Sequence, residues 1–527
     1  MKIKKIERQS AYNSWFAHHC EQRNVIITLV IVSFFTIAPV GYHLVVLNVP
    51  EKVIQNALNA SMYSNFKWSM SETEISILWS VIVSSQSVGA LLACLVIVPL
   101  RNRHSTKMCI MVINNAVLLV GSVAMSCGAF FEFAVFLIAG RIIIGLYTGL
   151  ACALLPLFMR ELAPTAIKGA LSCCMHISAC LGAMLAAILS LDFVLGTANL
   201  WGLLLAVPAG ALSCCMHISA CLGAMLAAIL SLDFVLGTAN LWGLLLAVPA
   251  VFGCFQMIGS LFLPDTPNHL LSRGDLDEAV SSVESYYGIK GVRDERSIVR
   301  YRELVAKMPE QISFCDAVAE RETKWAIFVG MVVSAAQVFC GSMATVSYST
   351  SMFTSVSFVS ALVPFMPAFG AVLSALLTLP ALYLVEAYGR RLQFLGTLTL
   401  CVLSDFFFVL FSLLSQQFAM LGATVWSTLF AFTFFLYGVG YNLGVGPIAY
   451  FIPGELVPPE AATVAIGAAV AVNWFSTLIT TLIYYPLNVA IGGWSYLLFA
   501  APRFVSVSIV CSALKSGICG NGHTHGP

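Results

Sequence analysis

Charged residues are scarce in this chain. Asp, Glu, Lys and Arg make up 10% of its 527 residues, whereas 59% of the residues are hydrophobic. A soluble domain carries roughly 25% charged residues, so this composition excludes a soluble fold for most of the chain. The formal net charge of +1 provides no bulk attraction to nucleic acid. We therefore predict the lipid bilayer as a partner and no nucleic-acid partner.

Recognisable enzyme motifs are also missing. The chain contains no glycine-rich phosphate loop, no HExxH motif and no GxSxG motif, so we predict no enzyme, no catalytic residue and no cofactor. Most of the 17 cysteines lie inside apolar runs, where a thiol behaves as a small hydrophobic group. The Cys and His residues near the end of the chain match no common zinc spacing, so no metal site is predicted. These residues are Cys511, Cys519, His523 and His525.

What the chain does contain is a series of long apolar runs. About 20 apolar residues are enough to cross roughly 30 Å of hydrocarbon as a helix. If the long run at residues 169–264 is counted as two spans, there are twelve, six on each side of a charge-rich stretch. We predict an all-α membrane protein with two six-helix halves. The runs begin near Val25, Ile75, Met108, Phe133, Gly169, Trp325, Phe358, Phe394, Ala423, Thr463 and Gly492.

These runs divide the chain into four segments. Residues 1–264 form the first half, and residues 265–325 form a charged cytoplasmic linker of short helices. Residues 326–512 form the second half, whose last span is polar and atypical, and residues 513–527 form a flexible tail.

A duplicated hydrophobic segment interrupts this plan. Residues 169–209 and 210–250 are identical at every position and directly adjacent. One extra crossing would move every later loop to the other side of the membrane, against the distribution of basic residues. Identity without a single substitution indicates either a very recent duplication or an exon counted twice in the gene sequence. We favour the second and predict one copy in the transcript across codons 160–260; two copies there would establish a duplication.

The basic residues predict the orientation of the chain in the membrane. Basic residues outnumber acidic ones in three segments: the N-terminal segment, residues 101–107 and residues 386–391. All three segments would lie in the cytosol if the first span runs outward. The loop after that span would then be outside, where Asn59-Ala60-Ser61 forms a glycosylation sequon. We predict a multi-pass glycoprotein of the cell membrane with a cytoplasmic N-terminus and glycosylation at Asn59.

Several stretches resemble the sugar-porter family of the major facilitator superfamily, specifically the animal facilitative glucose transporters. They are GRIIIGLYTGL (140–150), PLFMRELAPTAIKGAL (156–171), PDTPNHLL (264–271), SYSTSMF (347–353), VEAYGRR (385–391) and GVGPIAYFIPGEL (444–456). Their order and spacing are similar to the family over about residues 25–500. The resemblance implies the major facilitator fold with twelve spans, to which the duplicated segment is added.

The resemblance also implies two sets of functional residues. Charged residues at the cytosolic helix ends would tie the two halves together; the alternative is that they are only helix-end anchors. These candidates are Arg141, Glu161, Lys168, Asp265, Glu386, Arg390, Arg391 and Glu455. The implied substrate-binding positions are His176 (or its copy His217), Gln337, Met343, Ser374, Asn442, Tyr450, Asn473 and Trp474.

The implied pocket has fewer polar groups than the family's. Val338 and Met343 stand where amides are expected, and each amide lost removes a hydrogen bond that typically contributes about 0.5–1.5 kcal/mol. Span 1, residues 24–48, contains no acid, which favours uniport over proton coupling, and we expect His43 near the outer water boundary. The expected function is facilitated diffusion of a hexose such as glucose or fructose. The alternatives are another small polar solute such as a polyol or urate, a non-transporting sensor, or a defective gene sequence.

Overall fold

The computed structural model describes residues 28–47, 51–162, 257–287, 314–417 and 423–499, with short gaps, most of them within 28–47 and 357–389. The residues it describes form helices and no strand, as predicted. Seven of these helical stretches are long and apolar enough to cross a membrane, and Ile31–Gly41 forms a shorter apolar helix.

The described part of the first half contains five main helices. A short helix Thr106–Met108 and a π-helical turn Cys109–Ile113 lead directly into the fourth of them. The third begins at a capping box, in which the Ser71 hydroxyl accepts from the Glu74 amide and the Glu74 carboxylate accepts from the Ser71 amide. The five are α1 (Ile31–Gly41), α2 (Glu51–Phe66), α3 (Glu72–Arg103), α4 (Asn114–Phe131) and α5 (Ala134–Leu162).

Three short helices follow in the linker, namely α6 (Pro267–Arg273), α7 (Leu276–Tyr287) and α8 (Phe314–Ala319). Two hydrogen bonds attach α7 to the segment that precedes α6. The Ser282 hydroxyl donates to the Asp265 carbonyl oxygen at 2.5 Å, and the Tyr286 hydroxyl donates to the Pro264 carbonyl oxygen at 2.7 Å. The linker is therefore fixed to the end of the first half.

Six helices form the described part of the second half. A π-helical turn Val338–Ser342 joins the first two, and Gly341 inside it has φ of 80°, a conformation that glycine adopts readily. A second π-helical turn, Tyr441–Val445, joins the fourth and fifth helices. The described part of the second half ends with a 3₁₀ helix, Gly492–Phe499. The six are α9 (Arg321–Gln337), α10 (Met343–Ser355), α11 (Arg390–Gln417), α12 (Ala423–Gly440), α13 (Gly446–Glu455) and α14 (Ala462–Ile491).

Glycines allow α3 and α5 to pack backbone against backbone. A Cβ added at Gly145 would lie 2.0 Å from the Gln86 carbonyl oxygen, and one added at Gly89 would lie 1.9 Å from the Ile142 carbonyl oxygen. Small residues at such crossings are the usual device by which membrane helices approach closely. Helices α3 and α5 thus form the most extensive helix contact in the described part of the first half. Helix α14 of the second half also packs along α3.

Candidate functional site

A small cavity lies between the two halves, lined by residues of α5, α9, α13 and α14. Its volume is about 20 Å³, which is the room that one water molecule needs. Among the described residues that line it, none is formally charged. They are Cys152 from the first half and Ser334, Gln337, Ala449, Pro453, Ile466, Ala469, Val470, Asn473 and Trp474 from the second.

Gln337 is the centre of the polar side of this cavity. It is the last residue of α9 and is 1% exposed. Its Oε1 accepts from Asn473 Nδ2 at 2.8 Å, and its Nε2 donates to the Tyr441 hydroxyl at 3.2 Å and to the Gly446 carbonyl oxygen at 3.4 Å. This closed amide network joins α9, the π-helical turn before α13, and α14. A hexose hydroxyl, which both donates and accepts, could replace one of these bonds.

A second polar pair lies on the other side of Tyr441. Asn442 Nδ2 donates to the Ser374 hydroxyl oxygen at 2.8 Å and to the Gly438 carbonyl oxygen at 2.7 Å. The structure thus brings two of the predicted substrate-binding positions together, but neither lines the cavity.

The remaining predicted substrate positions differ in whether they line the cavity. Trp474 is buried and lines the cavity, whereas Met343 is buried just after the π-helical turn and does not. Tyr450 belongs to α13, although its side chain lies outside the described part of the molecule. His176 and its copy His217 lie outside the described residues.

The predicted gating charges include one with a defined ion pair. Lys107 Nζ lies 3.7 Å from Asp265 Oδ1 and donates to the Leu263 carbonyl oxygen at 2.6 Å. The Ser105 hydroxyl donates to the same Asp265 oxygen at 2.9 Å. This contact connects the loop between α3 and α4 with the start of the linker, so it does not tie the two halves together.

Arg141 does not belong with the other charges. It lies in the second turn of α5, at the end opposite to Leu162, and it is 2% exposed. Its Nη1 donates to the His43 carbonyl oxygen at 2.6 Å, and its Nη2 donates to the Val83 carbonyl oxygen at 3.3 Å. In the predicted orientation the start of α5 lies outside, so a position at a cytosolic helix end does not fit Arg141, which connects α5 with α3 and with the segment that follows α1. His43, expected near the outer water boundary, is itself fully buried beside Arg141.

For most of the other predicted residues the structure gives a position in a helix, and for only some of them a side-chain environment. Glu455 is exposed at the end of α13, and Asn59 is half-buried on α2, where its Oδ1 accepts from the Met70 amide at 3.1 Å. Glu161 belongs to α5 and Arg390 and Arg391 to α11, but their side chains lie outside the described part. Lys168 and Glu386 lie outside the described residues altogether.

Sequence reasoning missed two residues near or within the spans. Cys152 supplies the first half's described contribution to the cavity, and nothing in its apolar neighbourhood distinguishes it. Asp405 is 4% exposed in the middle of α11 and does not line the cavity. An acid in the middle of an apolar run is itself a signal, because an intramembrane carboxyl group is costly and usually functional.

Comparison with known proteins identifies similar sequences over almost the whole chain. The family described as "Sugar (and other) transporter" matches residues 28–210 and 208–515. The mouse "Solute carrier family 2, facilitated glucose transporter member 7" is 26% identical over 491 residues, which cover 93% of this chain and 86% of that protein. The mouse member 4 is 27% identical over 467 residues, covering 87% of this chain and 82% of that protein.

Solved structures show the same fold. The partially occluded inward-open conformation of the xylose transporter XylE from E. coli has a TM-score of 0.64 at 15% identity and covers 92% of this chain and 99% of its own. A crystal structure of a D-xylose-proton symporter has a TM-score of 0.61 at 15% identity, covering 92% of this chain and 97% of its own. These matches confirm the major facilitator fold. The two stretches of the family match overlap at residues 208–210, where the two identical copies adjoin.

Proposed function

The chain belongs to the sugar transporter family of the major facilitator superfamily, and from this membership we propose that it carries a hexose such as glucose or fructose across the cell membrane as a uniporter. Its curated relatives are facilitated glucose transporters, so it is a multi-pass membrane protein and not an enzyme. The proposal adds the hexose, the uniport mechanism and the plasma-membrane location to what the family establishes.

The amide network at the cavity between the halves is the observation that carries this proposal. Gln337 and Asn473 face a cavity whose described lining is uncharged, which suits a neutral polyhydroxylated solute and penalises a charged one. Trp474 adds a flat apolar surface of the kind that packs against a sugar ring. In the closed cavity the amides are bonded to one another, so the sugar would enter by exchanging these bonds for its own.

Alternating access provides the route. The cavity is too small for a sugar in this state, so the two halves must separate on one side before a sugar can bind. Of the predicted substrate positions, we assign direct contact to Gln337, Asn473 and Trp474. The paired Ser374 and Asn442 would contact the sugar only when the cavity widens.

Uniport is proposed because none of the described residues that line the cavity carries a carboxyl group. The sequence of span 1 contains no acid, and Asp405 does not line the cavity. The predicted orientation, with the N-terminus inside and Asn59 outside, remains part of this proposal. Glycosidase treatment of the cell-expressed protein, compared with Asn59→Gln, would test the side on which α2 lies.

Uptake into vesicles tests the proposal directly. Purified protein in lipid vesicles should take up labelled glucose or fructose until the inner and outer concentrations are equal, and preloaded unlabelled hexose should accelerate entry. An imposed proton gradient should leave the final ratio at one, because a uniporter cannot concentrate its substrate.

Three other results would each point elsewhere. Accumulation above equality in a proton gradient would replace uniport with proton coupling. Uptake of a polyol or urate without hexose would replace the substrate. Uptake equal to that of empty vesicles across the whole panel would favour a non-transporting relative or a defective sequence.

A further inference from the structure

A buried carboxyl group joins the two halves at the end of the molecule where α2 lies. Glu51, the first residue of α2, is 5% exposed. Its Oε1 accepts from the Tyr485 hydroxyl of α14 at 2.5 Å and from Gln55 Nε2 at 3.3 Å. Gln55 Nε2 also donates to the Tyr485 hydroxyl oxygen at 3.1 Å. The three side chains therefore form a closed ring of hydrogen bonds between the first half and the second.

We propose that Glu51, Gln55 and Tyr485 form an outer latch that holds the outer ends of the halves together, and that protonation of Glu51 favours the latched state. This inference rests on the proposed alternating access and orientation, in which α2 lies outside. None of the three residues lines the cavity to which we assign the sugar.

The geometry around Glu51 explains why its proton matters. Only one carboxylate oxygen is used, since Oε2 is buried without a hydrogen-bond partner in the described part of the chain. A buried carboxylate needs hydrogen bonds or a cation to offset its lost hydration. Protonation removes the charge and leaves the bond from Tyr485 to Oε1 in place. Burial correspondingly raises the pKa of Glu51 to about 7, although the bonds from Tyr485 and Gln55 act in the opposite direction.

The charged and titratable groups around Glu51 come from several helices. Lys52 follows it on α2 with an exposed side chain. Tyr348 of α10 and Tyr485 of α14 face it from the second half. Arg141 lies within electrostatic range of Tyr348, and His43 lies beside Arg141. Among the described residues, Glu51 forms no ion pair, so no salt bridge holds its negative charge in the closed state.

The direction of the pH effect follows from proton linkage. In the open state Glu51 would meet water, and its pKa would return toward the ordinary value of 4.5. The latched state then binds the proton more tightly, so acidification favours closure in the window between about pH 7 and the ordinary value. Within that window the ratio of closed to open forms changes by up to about tenfold for each pH unit.

Distances across the outer end test the latch without requiring transport. Spin labels on encoded non-cysteine residues at Thr73 of α3 and Val489 of α14, both exposed, report the separation of the halves in nanodiscs from pH 5 to pH 8. The wild type should shift toward the short distance as pH falls. Glu51→Gln, which imitates the protonated group, should remain short at every pH. Glu72→Gln, an exposed acid on the same face, should behave as the wild type.

Tyr485→Phe provides a second reading. The substitution removes both hydrogen bonds of the ring that cross between the halves, so the short distance should be less populated than in the wild type at every pH at which the wild type is closed. A wild-type distance distribution independent of pH, or an unchanged transition in Glu51→Gln, would overturn the inference. Hexose uptake measured in parallel separates the two proposals. A distance that depends on pH, without hexose uptake, would contradict only the proposed transport. Hexose uptake, with a distance that does not depend on pH, would contradict only the proposed latch.

Discussion

Replacing Gln337 with alanine is expected to lower hexose uptake at low sugar concentration by about fivefold or more. The substitution removes the acceptor of Asn473 and the donor to Tyr441 and Gly446. A buried polar group left unpaired costs about 1–3 kcal/mol, which corresponds to roughly five- to 150-fold in affinity. Initial uptake rates into vesicles, normalised to the amount of folded protein, measure this loss.

Two controls make the result specific to the network. Gln417→Ala removes an exposed glutamine at the end of α11 and should leave uptake unchanged. Asn473→Ala combined with Gln337→Ala should lose little more than Gln337→Ala alone, because both substitutions remove the bond between the two amides. Uptake by Gln337→Ala equal to that of the wild type would show that the sugar binds elsewhere, and additive losses would show that the two amides act separately.

Gly145→Ala is expected to destabilise the folded protein by about 3 kcal/mol, the upper end for overpacking. The added methyl would lie 2.0 Å from the Gln86 carbonyl oxygen and 2.9 Å from Gly89 Cα, so α3 and α5 would have to move apart. No flexible side chain is available to yield, since both contacts are with backbone. The midpoint of thermal unfolding, followed by the loss of monodisperse protein in detergent, should fall clearly below that of the wild type.

Gly396→Ala is the matched control. Gly396 lies within α11, and a Cβ there meets nothing within 4 Å. Alanine stabilises a helix relative to glycine by roughly 0.5–1 kcal/mol, so this variant should be as stable as the wild type or slightly more so. Equal unfolding midpoints for the two alanine variants would contradict the close packing of α3 against α5.

Helix positions could be predicted from the sequence because membrane spans are set by local composition. The runs predicted to begin near Ile75, Phe394 and Ala423 correspond to helices that begin at Glu72, Arg390 and Ala423. The linker boundary was less accurate, since α9 begins at Arg321, within the stretch assigned to the linker. Charged residues at a helix end resemble a loop in composition, although their backbone is already helical.

Side-chain partners could not be predicted in the same way. Tyr485 contacts Glu51, which is 434 residues away in sequence, and no periodic pattern encodes which faces of two distant helices meet. Arg141 was grouped with cytosolic charges because it belongs to a family motif, yet it lies near the start of α5, the end that the predicted orientation places outside. Gln337 and Asn473 were both selected by resemblance, but their mutual hydrogen bond depends on how α9 and α14 pack.

The π-helical turn after Gln337 has a mechanical consequence. It contains a glycine in the left-handed region and separates α9 from α10, and α10 departs from helical geometry again at Tyr348. The stretch from α9 to α10 can therefore bend at two points. Gln337 lies before the first point, beside the cavity, and Tyr348 lies at the second, where its hydroxyl donates to the Thr481 carbonyl oxygen of α14 at 2.8 Å. A bend at Gly341 would change the angle between the cavity-lining end of α9 and the part of α10 that is bonded to α14.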